Sequence, residues 1–187
     1  LYCGVFYGER RPDHFLRGVR RLLHRRPELT DQLDLVFVGL VPEGTQDLID
    51  ELDLSDAVSC VGYKSHRRAV SYLLSADALW FTVGRQEGAE TISTSKLYEY
   101  MGSRKPILGL VPEGAARETL EEYGCAVTAP PEDVEGISRA IEQIMAWNRE
   151  DSAPEVDEEF VDQFDRRTLA GRLAKEIHGV CAIEDIE

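Results

Sequence analysis

Short apolar runs and helical apolar stripes alternate along the chain from its first residues. The run "LYCGVF" at 1–6 predicts a strand, and Phe15, Val19, Leu22 and Leu23 then mark one face of a helix. A second strand is predicted at 33–40 ("LDLVFVGL"), a helix through Leu48, Ile49 and Leu52, and a third strand at 57–63 ("AVSCVGY"). Ser65 stands where an N-cap would open the helix "SHRRAVSYLLSA", and "ALWFTVG" follows as a fourth strand. The next helix, "TSKLYEYMGS", is short, with Thr94 or Ser95 suited to its N-cap. "KPILGLV" reads as a fifth strand with Pro106 at its start, where a missing N–H is tolerated. A helix over 113–123, a strand over 125–129 and a helix over 132–148 complete the series. The polar stretch "NREDSAPEVDEE" then leads to one last helix from about 157 to 180.

Six strands alternating with helices predict an α/β fold, a parallel sheet covered on both faces. Right-handed crossovers make it a doubly wound, Rossmann-like six-stranded sheet with order 3-2-1-4-5-6, and ligands then bind at the carboxyl ends of the strands. Residues 1–150 form one domain on this reading, and residues 151–187 a connector and C-terminal helix.

Composition narrows the partners. The 187 residues are 43% apolar and 30% charged, as in a soluble globular domain. With 21 basic against 35 acidic residues the net charge is −14, which repels nucleic-acid phosphates and anionic membranes. The basic residues are mostly Arg, and only Lys64, Lys96, Lys105 and Lys175 are lysines; such an acidic, Lys-poor surface suits a high-salt cytoplasm. No apolar run approaches the roughly 20 residues that cross a bilayer, and no leader opens the chain. It starts at Leu1, inside a strand, which suggests a piece of a longer protein. Cys3, Cys60, Cys125 and Cys181 are far apart and form no C-x-x-C pair, which predicts reduced structural thiols in a cytoplasmic setting. His14, His24, His66 and His178 have no metal-ligand spacing, so neither a metal nor a resident cofactor is expected.

Three loops at strand carboxyl ends carry candidate chemistry. After strand one, Gly4 and Gly8 bracket a turn, and Arg10 and Arg11 precede a helix. A guanidinium fork there, with the helix N-terminus, suits phosphate, although a solvated Arg pair is the plain alternative. The loop lacks G-x-G-x-x-G, which argues against NAD. After strand three, Gly62 and Tyr63 offer a peptide edge and a ring to a flat base, or only a strand-to-helix turn. After strand four, "GRQEGAETISTSKLYEYMG" puts Lys96 in the first turn of a helix, where a cation opposes the macrodipole unless an anion is bound. Glu99 lies one turn on, and a carboxylate accepting two hydrogen bonds is a device for gripping paired ribose hydroxyls. The alternative is an exposed Lys96–Glu99 pair worth about 0.2–0.5 kcal/mol.

With "VFVG", "VGYKSHRRAVSYLLSADALWF", "SKLYEYMGSRKPILGL" and "EYGCAVTAPPEDVEGISRAIEQI" in order, the chain resembles the C-terminal domain of GT-B glycosyltransferases. The group is the large retaining family 4, or glycosyl transferases group 1. The resemblance implies a domain that binds a nucleoside-diphosphate sugar, of UDP or GDP, for transfer of a hexosyl group with retention. The acceptor would be a glycan or lipid-linked glycan, as in polysaccharide biosynthesis. A separate N-terminal domain of the same protein would bring the acceptor site and any membrane-peripheral contact. By position, Glu99 matches the ribose-binding glutamate, and Lys96 with the N–H groups of Ser95, Lys96 and Leu97 falls at the pyrophosphate. Arg10, or else Arg11, matches the residue that neutralises the leaving diphosphate, so Arg10 and Lys96 are the expected catalytic pair. Gly62 and Tyr63 fall near the base.

Two departures stand out. Thr91 occupies the position of the family's first glutamate, with Glu90 one residue off register, so Thr91, Ile92 and Ser93 are left to line the donor-sugar pocket. The acceptor domain is also missing, which predicts weak nucleotide binding and no turnover by this chain alone. Phe160, Phe164, Leu169 and Leu173 share a helical face that would cross to that missing domain or else pack in this one. A nucleotide-sugar 2-epimerase and a non-catalytic nucleotide-binding module are the competing functions.

Overall fold

The computed structural model describes residues 1–184 except 7, 9, 85 and 86, with side chains described as far as 179. The strands are β1 (Tyr2–Val5), β2 (Leu35–Leu40), β3 (Val58–Gly62), β4 (Leu79–Thr82), β5 (Ile107–Leu110) and β6 (Ala126–Ala129). Between and after them run α1 (Asp13–Arg25), α2 (Thr45–Glu51), α3 (His66–Ser75), α4 (Ser95–Gly102), α5 (Ala115–Tyr123) and α6 (Val134–Glu150). Each strand run has shrunk by one to three residues against its apolar stretch. Pro106 lies just before β5, and its carbonyl accepts the Leu79 N–H at 2.9 Å. Two short 3-10 turns, Pro27–Gln32 and Ala89–Thr91, fall where the periodicity gave no element.

All pairings are parallel, and the order within sheets is β1-β2-β3 and β4-β5-β6. The expected continuous six-stranded sheet is therefore two three-stranded sheets that abut at β1 and β4. Among the described residues two backbone bonds cross this seam, both at Leu1: its carbonyl accepts the Trp80 N–H at 2.8 Å and its amino group donates to the Ala78 carbonyl at 2.8 Å. The ladder stops there because a side chain takes the next groups: the Cys3 N–H donates to the Tyr100 hydroxyl at 2.8 Å, and that hydroxyl lies 3.3 Å from the Cys3 carbonyl. Satisfied by a phenol, β1 has no donor left there for β4.

Two apolar layers cover the sheets. Alternation along β4 sends Trp80 to the layer with α1, α2 and α6, and Leu79 and Phe81 to the layer with α4 and α5. The first layer holds a five-ring cluster in which Trp80 stacks on Phe15 (3.9 Å between centroids) and Tyr2 stacks on Phe6 (4.1 Å). Phe37 meets both pairs edge-on or tilted.

The predicted single last helix is two, α7 (Glu158–Asp162) and α8 (Arg166–Glu184). The break falls at Asp165, whose carboxylate accepts the Arg167 and Thr168 N–H groups and so starts a new helix. The two readings of the apolar stripe divide at this point. Phe160 and Phe164 pack on the α4–α5 layer, whereas Leu169, Leu173 and Ile177 on α8 are exposed. Among the described residues no helix is long and apolar enough to cross a membrane.

Candidate functional site

The site is built at the carboxyl end of β1, where the two sheets part. Gly4 has φ +143, a backbone that L side chains rarely adopt, and a Cβ there would sit 2.3 Å from the Lys96 Nζ. That missing Cβ is the space the ammonium fills. Lys96 leaves the first turn of α4, lies over the Tyr2 ring at 4.1 Å from its centroid, and donates to the Tyr2 hydroxyl at 2.9 Å. Burial pulls the Lys96 pKa down from 10.5 to about 8, with the nearby Arg10 charge lowering it further and Cys3 and Glu99 opposing. Among the described residues no carboxylate lies within 4 Å of this ammonium.

Glu99 is exposed one turn along α4, and the pair does not close into a salt bridge. Thr94 occupies the N-cap in extended conformation, but its side chain makes no cap bond, and the same holds for Ser65 before α3. Among the described residues the Ser95 and Lys96 N–H groups have no partner, while that of Leu97 donates to the Thr94 carbonyl at 3.0 Å. Ser95 is exposed at this end, and the Leu97 side chain is fully buried beneath it. Together these features give a held cation and a bare helix N-terminus side by side, the chemistry of an anion site.

The adjacent arginines diverge. Arg10 is near enough to Lys96 to act on its charge and makes no ion pair among the described residues. Arg11 turns to Asp13 at 3.0 Å and to the Glu43 carbonyl, and lines a separate recess of about 330 Å³ with His14, Arg17, Thr82 and Pro131. Asp13, two residues on, is what separates them. Gly8 is exposed in the same turn, with φ +54.

Gly62 ends β3 beside a register shift, and Tyr63 after it is 77% exposed. Thr91 ends a 3-10 turn and gives its hydroxyl to the Gly88 carbonyl at 2.9 Å. The Ser93 hydroxyl meets that of Tyr98 at 2.7 Å, and the Tyr98 ring packs on Phe164. The Thr91 and Ser93 hydroxyls are therefore already engaged. Cys3, Cys60 and Cys125 are free thiols, Cys3 half-buried and Cys125 buried, while Cys60 is exposed on the outer strand β3 rather than packed in the core. The Cys181 side chain lies outside the described residues. No cluster of three or more His, Cys, Asp or Glu able to hold a metal occurs among the described residues.

Two residues escaped the sequence reading. Tyr2 looked like an ordinary strand residue, and its contact to Lys96 spans 94 positions. Tyr100 reads as packing from its helical position and is indeed fully buried, yet its hydroxyl fixes α4 to β1 through Cys3. Burial raises its pKa well above 10, so it serves as a neutral phenol.

A family model described as "Glycosyl transferases group 1" matches residues 1–156. No curated protein sequence matches the chain at a significant level. Among solved structures, the chain is similar to HepE of Anabaena, solved in complex with UDP (TM-score 0.70, 14% identity, covering 95% of this chain and 48% of that one). It is also similar to sucrose-phosphate synthase of Thermosynechococcus elongatus (TM-score 0.71, 19% identity, 97% and 45%). A third is WaaG, a glycosyltransferase involved in lipopolysaccharide biosynthesis (TM-score 0.66, 19% identity, 95% and 46%). At these identities the likeness is one of fold, that of the C-terminal half of a GT-B enzyme, and the chain spans about half the length of each.

Proposed function

We propose, since the chain belongs to the glycosyl transferases group 1 family, that it is the donor-binding half of a retaining glycosyltransferase that takes a nucleoside-diphosphate sugar. The observation that carries this reading is the Lys96 ammonium, partly desolvated, held by Tyr2 and without a carboxylate partner among the described residues, at the N-terminus of α4. A partly desolvated cation is costly unless a counter-charge meets it, and a bound anion would supply one. The diphosphate fills that role, with Arg10 as the second cation and the Ser95 and Lys96 N–H groups as donors. Glu99, one turn on and free of protein partners among the described residues, takes the ribose hydroxyls. The base lies toward Gly62 and Tyr63. Thr91 and Ser93 line the donor-sugar pocket by backbone and by hydroxyls that each already make one protein hydrogen bond.

The chemistry these residues perform is electrostatic. Breaking the bond from the sugar's anomeric carbon to phosphate oxygen leaves its electron pair on the nucleoside diphosphate. Lys96, Arg10 and the α4 N-terminus are preorganised to stabilise that charge. The acceptor, a glycan or lipid-linked glycan, and its deprotonation belong to a second domain. Residues 151–187 lead there, with Leu169, Leu173 and Ile177 of α8 packing on that domain.

Calorimetric titration of this chain with UDP and GDP tests the reading. Saturable binding of one of them, abolished or strongly weakened in Lys96→Ala and in Glu99→Gln, is expected, with no transfer catalysed by the chain alone. Absence of binding by both at millimolar concentration contradicts it.

A further inference from the structure

Lys96 could have reached into solvent from the first turn of α4, as most lysines do. Instead it is folded back over β1. Three features hold it: the missing Cβ at Gly4, the face of the Tyr2 ring and the Tyr2 hydroxyl. The ring is itself immobile. Tyr2 is 2% exposed, stacked 4.1 Å from Phe6, 5.1 Å from Trp80 and edge-on to Phe37. Its hydroxyl also lies 3.3 Å from the Val5 carbonyl. A phenol that donates to a carbonyl still presents lone pairs to an ammonium.

We propose that Tyr2 is a positioning residue for the donor site: it holds the Lys96 side chain, through its hydroxyl and ring together, at the Gly4 notch in readiness for the diphosphate. This rests on the reading of Lys96 as a diphosphate ligand given above. The consequence is twofold. A lysine already fixed loses little rotamer freedom on binding, a cost that a free side chain would bear. A hydroxyl that accepts from the ammonium, and a ring that attracts it, also favour the charged form against its burial.

The groups facing Lys96 set what a titration reports. From β1 these are Tyr2 and Cys3, from the following turn Arg10, and from α4 Glu99 and Tyr100. Burial raises the pKa values of Cys3 and Tyr100, so both stay neutral in the range where Lys96 titrates. Lys96 is thus the group on which the hydroxyl acts.

The chain has four lysines, so [¹³C]lysine NMR shows four Cε signals, and Lys96→Ala assigns one by its loss. Tyr2→Phe keeps the ring on Phe6 and Trp80 and removes a single oxygen. In that variant the Lys96 titration midpoint is expected to fall by about one to two pH units, because the ammonium loses a hydrogen bond made to its charged form. Affinity for the tighter of UDP and GDP at pH 7 should fall about three- to tenfold, less than in Lys96→Ala. An unmoved midpoint overturns the inference even if affinity drops, because uniform weakening is what a packing role would give. A midpoint that moves while affinity stays at wild type overturns it too. Should Lys96→Ala retain wild-type affinity, the donor reading fails instead, and the Tyr2–Lys96 coupling still shows in the midpoint.

Discussion

The α1–α6 surface and the seam between the sheets treat cations in opposite ways. On the surface, Arg25 reaches Glu135 at 3.3 Å and Glu142 at 2.5 Å, Arg26 reaches Glu28 and Glu142, and Arg21 and Arg139 also meet Glu135. Hydrogen bonding from Arg21 holds the Glu135 carboxyl below its ordinary range. At the seam, Lys96 is desolvated and meets a phenol, with no acid within reach among the described residues. Among the described residues the contrast is between cations paired with carboxylates at the surface and one half-buried cation held by a phenol at the seam.

The sharpest way to break this contrast is Lys96→Ala. Nucleoside-diphosphate affinity should fall about 30-fold or more, because truncating a buried charge that meets an anion costs about 2–5 kcal/mol. Calorimetry checks it. Next in size is Glu99→Gln, expected to weaken binding about tenfold by removing a charge-assisted acceptor while keeping the shape.

Lys96→Met inverts the effect on stability. Relieving a buried ammonium should raise Tm at pH 7 by about 2–4 °C, or about 1 kcal/mol, while donor binding is lost. The sign depends on pH. Between about 8 and 10.5 the unfolded wild-type chain holds a proton that the folded one releases, so wild-type stability rises with pH in that window. The advantage of the variant shrinks there and vanishes above it, as melting curves across pH would show. The smallest effect belongs to the surface: Glu142→Gln should change stability by no more than about 0.5–1 kcal/mol, and by less in high salt.

Much of this was legible in the sequence, for physical reasons. Apolar runs of four to six residues at regular spacing give parallel strands buried on both faces. Lys96 and Glu99 on one short helix after the fourth strand give a cation and an acceptor one turn apart. Arg10 and Arg11 could not be told apart by type, and the local partner Asp13 decides between them. Tyr2 was hidden because an aromatic residue in an apolar run reads as core, and its polar end meets a residue 94 positions away. The seam was hidden for the same reason, since a side-chain hydroxyl from α4 replaces a ladder bond that strand periodicity assumes. The stop before α8 was visible in principle, as Asp165 precedes "RRTL" like an N-cap, but the apolar spacing runs through it.

The central claim is that Lys96 and Glu99 serve different parts of one nucleotide. Calorimetry with UDP and GDP against their 2′,3′-dideoxy forms tests it most directly. The account predicts that Lys96→Ala weakens both forms alike, whereas Glu99→Gln weakens only the form that carries the ribose hydroxyls. Equal weakening of both forms by Glu99→Gln, or no weakening of either by Lys96→Ala, would contradict it.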